Sequence, residues 1–203
     1  MNHKQLRKAL SQLGSWRQFA FLLALAERGF ANFALFAELT RPADGERFRE
    51  ILDAGWDMLL YPERQSDVFR LLTRLEKVRP DPEEHDFYGT TPALDAYQLL
   101  EQALLCHVNS ERSRCEEGAD IATGTVVSFV ELTEGEGLGD EALIRLLDGH
   151  ELVKMEQAFQ KALVSELQVT RKPGERFVTH LRRLAENEGV SNLGLAVPER
   201  WQP

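Results

Sequence analysis

The sequence predicts an all-α protein: a compact single-domain multi-helix bundle spanning residues 1–203, with an extended C-terminal tail over 190–203 packed on it. Three observations predict this. Apolar residues recur at helical spacing along almost the whole chain, and no segment alternates apolar and polar residues with period two for long enough to make a strand. Proline and glycine cut the pattern into helix-sized pieces, while no solenoid-length repeat and no low-complexity linker marks a second domain.

Taken in order, "MNHKQLRKALSQLG" has charges spread through it and no apolar stretch with a cleavage site, so it does not read as a secretory signal. Ser15 is expected to cap a helix running to Arg28 with Gly29 as its C-terminal stop, and apolar residues around most of its circumference mark it as central. Asn32 caps a short helix through Leu39. From Asp44, the spacing of Phe48, Ile51, Leu52, Gly55, Trp56 and Leu59 gives one face of an amphipathic helix. Val68, Leu71, Leu72, Leu75 and Val78 do the same until Pro80 and Pro82 end it.

The stretch "HDFYGTTPALDA" reads as a helix entrance: Thr91 as the cap, Pro92 at the first helical position, and Asp95 in the first turn where the helix dipole favours an anion. Ala93, Ala96, Tyr97, Leu100, Ala103, Leu104 and His107 share the face that follows. After the turn "NSER", Cys115, Ala119, Ala122, Val126, Phe129 and Thr133 form a partner helix, and the two make an αα-hairpin closed by "EGEGLGD". A short helix from Asp140 to Leu147 precedes a longer one carrying Leu152, Met155, Phe159, Leu163 and Leu167, interrupted at Pro173-Gly174. A last helix presents Phe177, Val178, Leu181, Leu184 and Ala185 and ends at Gly189. Leu193, Leu195, Val197 and Trp201 of the tail are expected in a groove on the bundle.

Composition narrows the function classes. With 203 residues, 43% of them hydrophobic and 28% charged, the chain needs neither disulfides nor metals to build a core. The 24 Lys and Arg residues are interleaved with 33 Asp and Glu residues, and the net charge of -9 disfavours phosphate backbones, so no nucleic-acid partner is expected. The basic stretches "TRKPGERF" and "HLRRL" read as solvated helical faces. The longest apolar run, "FAFLLALA", falls well short of the roughly 20 residues that span a bilayer. No membrane association is expected, and Cys106 and Cys115 suit a reducing cytoplasm as buried free thiols.

No reaction is identified by the sequence. Glu-x-x-His pairs, H-E-x-x-H, G-x-S-x-G and a phosphate-cradling glycine loop do not occur, and "EGEGLGD" lacks the strand and lysine that would make it a nucleotide site. His107 reads as a hydrogen-bonded core histidine, and no cofactor or metal is expected. The candidate small-ligand pocket is Asp86, Tyr88 and Asp95, set beside the structural reading of the same stretch as a helix entrance.

The segments "SWRQFAFLLALAERGFANFALF", "DGERFREILDAGWDML", "DFYGTTPALDA" and "SNLGL" occur in an order that resembles the YjaG-like family of bacterial proteins of unknown function. The sharpest parts are Ser15-Trp16, Glu27-Arg28, Asn32, Asp44-Gly45, Ile51-Leu52-Asp53 with Trp56, Asp86, Tyr88-Gly89, Pro92-Ala93, Asp95-Ala96 and Ser191-Asn192. The resemblance implies a compact, all-helical, cytosolic bacterial protein and brings no reaction, cofactor or catalytic residue. The stretch from Arg171 to Arg176 departs from the more continuous C-terminal helix expected of the family. The functional expectation is a non-enzymatic interaction or scaffold protein forming a homodimer; the alternative is a small-molecule binder or enzyme using Asp86, Tyr88 and Asp95.

Overall fold

The computed structural model describes residues 2–62 and 67–201 and is all-helical. Its α-helices are α1 (His3–Leu10), α2 (Ser15–Leu39), α3 (Pro42–Leu60), α4 (Val68–Glu76), α5 (Thr90–Val108), α6 (Arg112–Glu134), α7 (Asp140–Gly149), α8 (Glu151–Val169) and α9 (Glu175–Glu186). Among the described residues the only β pairing is one isolated antiparallel bridge, Val190 with Ala196.

At the centre lies α2, packed on α5, α3, α6, α8 and α9. The expected stop at Gly29 does not occur: the helix runs unbroken for 25 residues, and Asn32 lies buried inside it rather than capping a second helix. A glycine inside a helix costs about 1 kcal/mol of propensity. Here it lets α5 approach, since a Cβ at Gly29 would stand 3.2 Å from the Ala96 Cβ. Phe21 and Phe33 are fully buried on opposite runs of this helix, each contributing roughly 1.5–3 kcal/mol by burial. By length and composition alone α2 could cross a membrane, but 94% of its most apolar window is buried by the surrounding helices.

Several boundaries are set by local chemistry. Pro42 opens α3 at a position where its missing N–H is unneeded, and Asp67 caps α4 by accepting from the Arg70 N–H at 3.3 Å. The Nδ1 of His150 caps α8 by accepting from the Leu152 N–H. Helix α5 corrects the sequence reading. It begins at Thr90 after Gly89, so Thr91 is an exposed first-turn residue and not the cap; the buried Thr90 hydroxyl instead donates to the His85 carbonyl at 2.7 Å. His107 is also exposed, its ring resting 4.9 Å from that of Phe19, rather than buried in the core.

The C-terminal end differs most from expectation. Helix α9 stops at Glu186 because Asn187 and Glu188 adopt positive φ, 46° and 55°, ahead of Gly189. Asn tolerates this region; an unbranched Glu does so only where its surroundings hold it there. The tail carries no α-helix, as expected, but it turns rather than running straight. It folds back through the Ser191 N–H to Leu195 carbonyl and Val197 N–H to Gly189 carbonyl hydrogen bonds, then makes a 3-10 turn over Glu199–Trp201. Leu193 and Val197 are buried against the bundle as expected, while Leu195 stays exposed; Gln202 and Pro203 lie outside the described residues.

Candidate functional site

The residues singled out from sequence are only partly brought together. Tyr88 lines an apolar groove of about 180 Å³ with Phe36, Leu39, Phe87, Phe129 and Leu195. Asp95 lies close behind it, half-buried, and its carboxylate accepts from the Thr125 hydroxyl of α6 at 2.7 Å. Burial raises the Asp95 pKa against that hydrogen bond, and burial with the Asp95 charge pushes the Tyr88 phenol up to about 12. Asp86 is exposed and is not part of the groove wall.

A larger cleft of about 480 Å³ lies elsewhere, and its charged residues come from a place where charge is physically unexpected. Glu27 and Arg28 sit in the middle of the most apolar helix of the chain and are only 4% and 6% exposed. Buried charges require partners, and two neighbouring elements supply them. Arg49 on α3 grips Glu27 with both terminal amino groups, while the Trp56 indole N–H donates to the same carboxylate at 2.6 Å. One turn on, Asp53 accepts from Arg49 at 2.7 Å and from Arg182 of α9 at 2.5 Å. Arg182 also donates to Glu186 at 2.9 Å. One network thus ties α2, α3 and α9.

On the adjacent side of α2, Arg28 reaches Glu156 of α8 through its Nε at 3.3 Å and lies over the Phe159 ring at 4.5 Å. Glu156 is held above the ordinary carboxylate range by burial, against the hydrogen bond from Gln160 and the charge of Arg28. The C-terminal segment forms the remaining wall through Glu188, Gly189, Val190, Ser191, Val197 and Trp201. It is fastened by Asn32, which donates to Asn192 at 3.0 Å, by Asn192 donating to the Ala122 carbonyl, and by the Arg200–Glu38 ion pair. The Trp201 ring packs edge-on to Phe30 at 5.4 Å, and Gly45 leaves room for it, since a Cβ there would meet the ring at 3.3 Å.

Chemically, the cleft offers guanidinium groups beside apolar surface. Among the described residues no group of three or more His, Cys, Asp or Glu side chains is placed to hold a metal ion. Cys106 and Cys115 are buried free thiols close to Gln18, and burial pushes the Cys106 thiol up to about 11. Sequence reasoning did not assign Glu27, Arg28, Arg49 and Arg182 to a site. A signal for the first two was present: an adjacent acid and base inside an apolar helix.

A family profile described as "Protein of unknown function (DUF416)" matches residues 5–196. An uncharacterized protein of Haemophilus influenzae is 28% identical over 192 residues, covering 94% of this chain and 96% of its own. The uncharacterized protein YjaG of Escherichia coli K12 is 27% identical over 187 residues, covering 92% and 93%. The crystal structure of a DUF416 family protein from Shewanella baltica, 27% identical, superposes with a TM-score of 0.85 over 94% of this chain and 98% of that one. With its sequence matched over most of its length and its all-helical architecture shared, the chain belongs to the DUF416 family of proteins of unknown function, in which the YjaG proteins are its relatives.

Proposed function

We infer that the protein binds a small molecule in the cleft between α2, α3, α9 and the C-terminal segment. The observation that carries this reading is convergence: four separate stretches of chain wall a cavity of about 480 Å³, within the range of ligand sites, with polar groups fixed by one ion network beside apolar surface. Fixed polar groups are what a binding site requires and what a core would avoid, because their burial opposes folding. The test is thermal unfolding of the purified protein with a low-molecular-mass fraction of bacterial extract. Binding to the folded state alone raises the midpoint; an unchanged midpoint counts against the reading.

A second reading, a non-enzymatic interaction or scaffold protein forming a homodimer, is favoured by the separate apolar groove beside Tyr88. Leu39 there is 75% exposed, and Phe87 and Leu195 are each 38% exposed, an apolar surface of the kind that marks contact sites. Of the candidate pocket of Asp86, Tyr88 and Asp95, only Tyr88 lines this groove. Light scattering on the eluting protein decides it, a strict monomer counting against the homodimer. A cytoplasmic location is proposed with either reading, supported by the two buried free thiols Cys106 and Cys115; intact mass before and after alkylation checks that both thiols are free.

A further inference from the structure

The cleft holds its buried carboxylate more fully than its guanidinium groups. Its buried carboxylate is occupied, Glu27 accepting from Arg49 and Trp56, and Glu186 accepts from Arg182; only Glu188, exposed to solvent, has no ion-pair partner among the described residues. The guanidinium groups are less complete. Arg28, 6% exposed and stacked over Phe159, makes one side-chain hydrogen bond, 3.3 Å through Nε, and its two terminal amino groups hydrogen-bond to no described residue. Arg183, exposed on α9, lines the same cleft and forms no ion pair with any described residue. A cation withdrawn from water with unfilled donors favours an incoming anion. Ala31, Val197 and Trp201 supply apolar wall next to it.

We propose that the cleft takes a small organic anion, with a carboxylate or phosphate group seated on Arg28 and Arg183 and an apolar body against Ala31, Val197 and Trp201. The assignment rests on the ligand-binding reading above and narrows it to one chemical class.

Three probes with one body test it: naphthoate, naphthyl phosphate and the neutral naphthamide, titrated into the full chain by calorimetry. The indole N–H signal of Trp201 in a nitrogen–proton correlation spectrum, assigned by its loss in Trp201→Phe, locates binding. At least one anion binds about tenfold or more tightly than the amide and shifts the Trp201 signal; which anion does so separates carboxylate from phosphate. Arg183→Gln weakens that anion about tenfold and leaves the amide unchanged, as loss of a charge-assisted hydrogen bond should. Arg28→Met abolishes the preference for anions; if circular dichroism shows that variant unfolded, the exposed Arg183→Gln carries the test. Amide binding as tight as the anions overturns the anion assignment and leaves the ligand-binding reading standing. Silence of the Trp201 signal with all three probes also overturns it, and the extract experiment then tells whether the broader reading falls too.

Discussion

Thr90 and Thr91 are chemically identical neighbours with opposite fates. The Thr90 hydroxyl is buried and donates to the His85 carbonyl, while Thr91 is exposed. Thr90→Ala is expected to cost about 1 kcal/mol, from the lost hydrogen bond, and Thr91→Ala less than about 0.5 kcal/mol; urea unfolding of the two variants compares them directly. Asp95 makes a second prediction. Its pKa is raised above the ordinary 3.8 by burial, against the hydrogen bond from Thr125. The folded state therefore holds this proton more tightly than the unfolded state, so Asp95 lowers stability as pH rises from the ordinary aspartate range through its raised value. It lies on the sixth residue of α5, past the first turn where the helix dipole acts. Asp95→Asn cannot ionise and keeps an oxygen for Thr125, so its stability relative to the native protein should improve from acid to neutral pH. A difference that does not change with pH would refute burial as the cause.

Helices in this protein are held by what faces them. Gly29 weakens a helix by about 1 kcal/mol, yet α2 passes through it because apolar residues on both sides are buried and α5 presses against it, with the Ala96 Cβ 3.2 Å from where a side chain would begin. Gly29→Val should overpack this contact and cost about 1–3 kcal/mol, with the denaturation midpoint lowered and far-ultraviolet helicity retained. Helix α8 shows the same dependence on neighbours. The expected stripe included Met155, which is 44% exposed, whereas Glu156 is 1% exposed and faces the core. Hydropathy assigns a glutamate to water; Arg28 across the interface reverses that.

At the scale of the whole molecule, the Glu27 network is the fastener between the central helix, α3 and α9, and the C-terminal segment closes over it. Glu27→Gln removes the charge that balances Arg49 in a site where both are largely withdrawn from water. Breaking one side of a buried pair costs about 3–5 kcal/mol, so urea unfolding should show a loss of about 3 kcal/mol. A loss under about 1 kcal/mol would mean that the network is solvated and loosely held. Far-ultraviolet circular dichroism should report a predominantly helical protein, because the described β pairing is a single bridge.

The sequence by itself determined the helical class and the approximate place of most helices, because those follow from the spacing of apolar residues and from proline and glycine punctuation, which act within a few residues. It also contained the cue to the cleft, the Glu27-Arg28 pair in an apolar helix, but no local rule says where such a pair finds its counter-charges. Tertiary structure alone decided that Gly29 is a contact and not a stop, and that the tail folds back as a wall with Trp201 against Gly45. It also decided that Arg49 and Arg182, the latter 155 positions from Glu27 in the chain, converge on one carboxylate and share Asp53 as a second acceptor. Each of these depends on which surfaces meet when the helices pack, a property of pairs of distant segments rather than of any one.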